Sequence, residues 1–320
     1  MYHSLKLISL IGILSLNSCF RVDQEESNRG VFYPHDFPCE DIPPGGIIED
    51  DYKSPDFTFK FPSFSPNNKN KICYVRIDMN TLNYELWTYD LILDEQEKLV
   101  DYVWYAPVWG KQNWIVFDRT DNQLWKVKSN GDSLTQLTKS GTNIYSDWNP
   151  DGTEIIFNSD VFPPGSSVLI INSNGDIIFK FDEDFPIVSH PTWSKDGNKL
   201  AYLGPGGLGY VSFPDSIHHF LCSVAPTGIY NISWTPDSKS VYWTDMSGIN
   251  KIEIATGVKQ VIKQSCESKT YVHCEVSPDG KRLVSDRIDS KRIDPFTIFF
   301  ESYIYLMNPD GSEEVRIDLY

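Results

Sequence analysis

Positive charge is scarce in this 320-residue chain: 28 Lys and Arg stand against 44 Asp and Glu, a formal balance of −16. Nucleic acid and anionic lipid are bound by clustered Lys and Arg that displace counterions, so this balance argues against both as partners. Long apolar runs are lacking too. The one pronounced run, residues 7 to 16, is too short to span a bilayer as a mature helix. No long stretch of helical period appears, which sets aside a helical bundle. Cysteine is sparse, with 6 in all. What is plentiful is aromatic: 9 Trp, 17 Tyr and 18 Phe suit many short strands.

The N-terminus, MYHSLKLISLIGILSLNSC, has one Lys, an apolar centre and Leu16-Asn17-Ser18-Cys19 at its end. Those are the proportions of a secretory signal peptide over residues 1 to 18. The tetrapeptide resembles the bacterial lipobox, which implies acylation of Cys19 and a chain tethered to the membrane at that point only. The absence of Asp after Cys19 resembles lipoproteins sorted to the outer membrane, and DQEES at 23 to 27 resembles surface-export signals of Bacteroidetes lipoproteins. Residues 19 to 57, with Pro34, Pro38, Pro43 and Pro44, read as a tether. Five other cysteines leave at least one thiol unpaired. Cys266 and Cys274, within CESKTYVHC, can close a small loop, whereas Cys73 and Cys222 read as buried small hydrophobes.

From residue 58 onward one phrase recurs: WNPDGTEIIF from Trp148, WSKDGNKLAY from Trp193, WTPDSKSVYW from Trp234 and VSPDGKRLVS from Val276. With Phe64 and Trp109 added as anchors, the intervals are 45, 39, 45, 41 and 42 residues. A period of 40 to 45 with four strand-sized runs per unit is the pattern of propeller blades. Pro-Asp-Gly between the first two runs reads as a turn and not as a ligand loop, because Pro presets φ and Gly tolerates the left-handed region. The expected fold is all-β: a six-bladed β-propeller of four-stranded antiparallel blades over 58–320. Its blades span 58 to 101, 102 to 140, 141 to 184, 185 to 226, 227 to 266 and 267 to 320. The repeat W-S-P-D-G, followed by a strand and a closing L-T, resembles that of the TolB family. The resemblance is specific for fold and weakly so for function. It implies protein-binding platforms, propeller gates of prolyl-oligopeptidase-like enzymes, or oligogalacturonate lyases with a metal in the channel. The gate role calls for a hydrolase domain after the propeller, so it is not expected here, and TolB's own partners are not carried over.

Four motifs invite chemistry and are expected to carry none. GDSL at 131 to 134 lacks the α/β context and the distant Asp-x-x-His of an esterase. GPGGLG at 204 to 209 is followed by a strand, not the helix a phosphate loop needs. His218 and His219 are adjacent on a strand and face opposite ways. DEDF at 182 to 185 lacks the spacing of a calcium loop. More informative is one register position, three residues before each anchor, near one channel mouth. It holds Phe61, Ala106, Tyr145, His190, Asn231 and His273, of which Tyr145, His190, Asn231 and His273 are the candidate ligand or partner contacts. Imidazoles there can ligate a metal or act as acid and base, although two His fall short of the three or four ligands usual for Zn or Mn. The reading is a non-catalytic, monomeric binding module for protein or envelope polymer, without cofactor, anchored in a bacterial envelope. The alternative is a channel-centred lyase or hydrolase on acidic saccharides using His190 and His273, with or without a metal.

Overall fold

The computed structural model describes Cys39 and residues 53 to 320, apart from 163 to 166, 182 to 188, 214 and 215, 225 to 229, and 295 and 296. The expected signal peptide, Cys19, most of the expected tether and the DEDF segment lie outside the described residues. Six antiparallel sheets follow one another along the chain, each of four consecutive strands paired in sequence order. Their innermost strands are Phe57–Ser65, Val108–Trp109, Asn143–Trp148, Ser189–Trp193, Asn231–Trp234 and Lys269–Val276. The chain is a six-bladed β-propeller whose last blade is built entirely from the C-terminal end.

The apolar pattern of the second strands shows why blades form. In Glu154–Ser159, Ile155 and Phe157 enter a cluster shared with blade 2, while the intervening Ile156 enters the cluster shared with blade 4. Period-two alternation thus feeds two blade interfaces at once, and the core lies between blades. The anchors follow the same logic. Phe64, Trp109, Trp148, Trp234 and Val276 are buried, and Trp193 is half-buried against Phe213. Trp148 lies so close to Gly110 of blade 2 that a Cβ there would meet the indole at 2.9 Å, which explains why the second repeat reads WG where the others carry Ser, Thr or Asn.

The recurrent turn is a turn. Gly152 sits at φ 70° and its N–H donates to the Asn149 carbonyl at 2.9 Å, while the Asn149 side chain accepts from the Thr153 N–H at 2.9 Å. These turns also touch around the ring. Asn67 donates to the Lys111 carbonyl, Gln112 to the Asp151 carbonyl, and the Asp196 N–H to Ser238 Oγ. Lys69 pairs with Asp279 at 2.7 Å across the junction of blades 1 and 6.

A second inter-blade lock lies at the residue just before the anchor. Ser63 Oγ accepts from the Trp109 N–H, Asp147 Oδ2 from Trp193, Ser233 Oγ from Val276, and Glu275 Oε2 from Phe64. An innermost strand has no strand partner on its channel side, so its N–H groups need such acceptors. The Glu275 bond to Phe64, 2.8 Å long, closes the ring.

Cysteine pairing departs from expectation. Cys266 is bonded to Cys39, 227 residues away, and Cys274 is a buried free thiol. Cys266 exchanges backbone hydrogen bonds with Lys269, where the last innermost strand begins. Cys274 lies five extended residues further, roughly 16 Å at the strand rise, too far for a disulfide. Cys73 is buried as expected, whereas Cys222 is half-buried at an outer strand. GPGGLG closes a hairpin, His218 meets Tyr202 at 2.8 Å, and His219 stacks on Tyr210. Gly131 and Asp132 form a turn, and the outer strand after them starts at Thr135.

Candidate functional site

In blades 1, 3 and 4 the register position singled out in the sequence is a bulge in the fold. Phe61, Tyr145 and His190 adopt φ of 55°, 58° and 54°, left-handed values that are unusual for side chains of this size. Pairing to the second strand slips at the same places, between Lys60 and Ser63, between Ile156 and Asn158 opposite Tyr145, and between Ser189 and Thr192. The extra residue rotates each ring out of the ladder. Each such backbone costs on the order of 1 to 3 kcal/mol and persists because the blades on either side hold it.

These three rings, with Tyr105 and His273, form a chain around the channel. His273 meets Phe61 edge-on at 6.1 Å, and Phe61 meets Tyr105 at 4.8 Å. Tyr105 meets Tyr145 at 5.3 Å, and Tyr145 stacks on His190 at 3.8 Å. Blades 6, 1, 2, 3 and 4 each contribute a ring, and Tyr105 Oη reaches the Tyr230 carbonyl of blade 5 at 3.2 Å. Aromatic side chains therefore narrow the channel at this level.

Beside them lies a cavity of about 70 Å³, lined by Ala106, Tyr145, His190, Asn231 and His273 from the predicted position, and by Asp147, Lys195 and Glu275. That volume accommodates a few waters or the tip of one side chain, and is smaller than the few hundred Å³ of a typical small-molecule pocket. The fold thus brings together all four candidate contacts. It gives Asn231 a structural duty as well, since its Oδ1 accepts from the Cys274 N–H at 3.2 Å.

Burial dominates the electrostatics. It lowers the pKa of His190 to about 3, partly offset by the Tyr230 carbonyl, and lowers that of His273 to about 3, helped by repulsion from His190. Both imidazoles are neutral at pH 7. His190 Nδ1 lies 2.9 Å from Ser189 Oγ. Asp147 and Glu275 are raised by burial, an effect that the Lys195 cation opposes in both. Deeper in, Asp286 is raised to about 7 by burial, although it accepts from the His273 N–H at 2.9 Å. Asp118 is raised well above the usual carboxylate range by burial, an effect that the Tyr145 backbone N–H opposes. Tyr145 and Tyr230 are pushed up to about 12 by burial. Among the described residues, no group of three or more His, Cys, Asp or Glu is placed to share a metal ion.

Asp147, Lys195 and Glu275 went unnoticed in the sequence, yet it carried a signal for each. Lys195 stands where the repeats of blades 1, 3, 5 and 6 place Pro66, Pro150, Pro236 and Pro278. Asp147 and Glu275 occupy the pre-anchor position, which is polar in five of six blades.

Searches with protein-family models and against curated proteins match nothing, but many solved structures share the architecture. Putative TolB from Agrobacterium tumefaciens aligns with a TM-score of 0.61 at 17% identity, over 74% of this chain and 89% of that one. TolB from Acinetobacter baumannii aligns with a TM-score of 0.53, also at 17% identity, over 63% of this chain. The fold is that of a TolB-like propeller. The alignment spans only about half, 53%, of the Acinetobacter chain. An oligogalacturonate lyase solved in complex with manganese aligns with a TM-score of 0.51 at 13% identity, over 82% of this chain and 79% of that one. At these identities the likeness extends to the fold alone.

Proposed function

We propose that this chain is a lipid-anchored envelope protein, acylated at Cys19, whose propeller binds protein or envelope polymer at the channel mouth beside the aspartate turns. The observation that carries this reading is the cavity itself, where Asp147, Lys195 and Glu275 line the same space as Tyr145 and His190, two rings held in left-handed backbone. Strain retained at a mouth with charges of both signs is what a recognition site needs, because donors, acceptors and rings are fixed before a partner arrives. Tyr145, His190, Asn231 and His273 supply the floor, and Lys195 supplies the exposed charge at the rim. The likeness to TolB supports a binding platform in an envelope compartment.

The alternative, a channel enzyme acting on acidic saccharides, draws on Lys195 as the cation such a sugar would meet. Against it, imidazoles with pKa near 3 are weak bases at neutral pH, where acid–base catalysis favours groups that titrate close to it. In-cell crosslinking of the anchored protein, followed by mass spectrometry, separates the two readings. A partner joined to residues near Lys195 in wild type, and lost in both Lys195→Glu and Cys19→Ala, is the expected result. Turnover of an acidic oligosaccharide that disappears in His190→Gln would replace the binding reading with the enzymatic one.

A further inference from the structure

The second and third strands of blade 6, Leu283–Asp294 and Thr297–Met307, outrun the rest of their sheet. The innermost strand pairs with them only as far as Asp289, and the outermost only at Tyr305 and Leu306. From Ser290 to Asp294 and from Thr297 to Phe300 the two strands pair only with each other, forming a finger about 17 Å long at the strand rise. On its returning strand Ile298, Phe299 and Phe300 are exposed in succession, at 37%, 36% and 45%. Lys291 lies opposite Phe299 in the register.

The base of this finger is also where the N-terminal segment is fastened. Cys266 holds Cys39 through the disulfide and exchanges backbone hydrogen bonds with Lys269, which pairs with Asp289. The Ser290 N–H donates to the Ser268 carbonyl at 2.9 Å, and its hydroxyl to the Glu267 carbonyl at 3.2 Å. Cys19 precedes Cys39 by only 20 residues. Twenty residues span at most about 70 Å even when fully extended, so an acyl anchor at Cys19 keeps the disulfide, and the finger beside it, within that reach of the bilayer.

We infer that the finger is a second membrane contact, with Ile298, Phe299 and Phe300 seated in the interfacial layer of the bilayer that Cys19 anchors. The inference rests on the lipid-anchor reading above for the identity of the surface. Tethering makes docking an intramolecular event, so a small apolar patch suffices where the free domain would not stay bound. Basic patches are not required, which accords with the acidic balance of the chain. Docking by the finger also fixes the orientation of the propeller relative to the membrane, which attachment at a single residue does not.

The test uses the full chain, inserted through its own N-terminus into phosphatidylethanolamine vesicles containing a phospholipid with a photoactivatable acyl chain. After illumination, lipid adducts are mapped by mass spectrometry. Adducts on the peptide that contains Ile298, Phe299 and Phe300, several-fold above those on Ile177, Ile178 and Phe179, are expected, even though the latter are more exposed, on the outer strand of blade 3. Ile298→Ser with Phe300→Ser should remove the finger adducts without moving the melting temperature. Labelling that is absent from the finger, equal on both patches, or replaced by crosslinks between two copies would overturn the inference. The mass of the Cys19 peptide reports acylation separately, so an acylated, unlabelled chain refutes the finger, while a labelled, unacylated one refutes the anchor.

Discussion

Replacing Glu275 by Val copies into blade 6 the residue that blade 2 carries at the same position, Val108, and so opens one inter-blade lock while leaving the strand intact. The Glu275 carboxylate accepts from the Phe64 N–H at 2.8 Å, and Phe64 is only 2% exposed. Without that acceptor the amide is buried and unpaired, which costs about 1 to 3 kcal/mol. Part of this is recovered, because burial already holds the Glu275 carboxyl in an unfavourable setting and raises its pKa. A net loss of about 2 kcal/mol is expected, lowering the melting temperature by roughly 5 °C for a domain of this size. Glu275→Gln keeps an acceptor of the same reach and sheds the charge, so it should stay within about 0.5 kcal/mol of wild type. Scanning calorimetry and urea unfolding of the three proteins give the comparison. Should Val cost less than about 0.5 kcal/mol, or Gln cost as much as Val, the ring is not closed by this bond.

Four further outcomes follow from the same geometry. The pKa of Asp286 is about 7 in the fold against 3.8 as the ordinary value, so the stability it permits is full below pH 4 and is lost as pH rises towards 7. Asp286→Asn should therefore stabilise the protein by about 4 kcal/mol at pH 8 and by little at pH 4, as read from thermal melts at both values. His190 and His273 behave in the opposite sense: with pKa near 3 in the fold against 6.5, their contribution is full above pH 6.5 and falls as pH drops towards 3. At pH 5 each withdraws about 2 kcal/mol, and His273→Gln should flatten the melting curve between pH 5 and 7. Trp148→Ala should cost about 3 to 5 kcal/mol in urea unfolding, since the indole fills the junction of blades 2 and 3. Cys39→Ser releases a cross-link spanning 227 residues; the chain-entropy model gives a loss of up to about 5 kcal/mol, and alkylation of the unfolded, unreduced wild type should leave Cys266 unmodified.

Much of the fold was legible because blades repeat. The anchor spacing fixed the six units, and the Pro-Asp-Gly phrase and its variants marked the first hairpin of blades 3 to 6, since a turn needs particular backbone angles wherever it occurs. The candidate site was half legible. Alignment on the anchors showed that Tyr145, His190, Asn231 and His273 share a register position, and the fold does bring them to one cavity. Alignment did not show that this position is a bulge, because Phe, Tyr and His carry no local preference for φ near 55°. Nor did it find Lys195, although the missing Pro was visible, since a lysine in a surface turn is ordinary until the channel wall is known.

The disulfide illustrates the limit from the other side. Proximity in sequence favoured Cys266 with Cys274, but an extended strand separates them in space, while the return of the N-terminal segment to blade 6 brings Cys39 to 5.2 Å between Cα atoms. By itself the sequence determined what depends on short-range chemistry and on repetition: strand alternation, turn type, the number of blades and the order of their strands. The tertiary structure alone decided which side chains from blades about 40 residues apart meet across the channel, how burial silences two histidines, and where the longest hairpin points. Those properties arise from contacts between units whose separation in the chain carries no record of their separation in space.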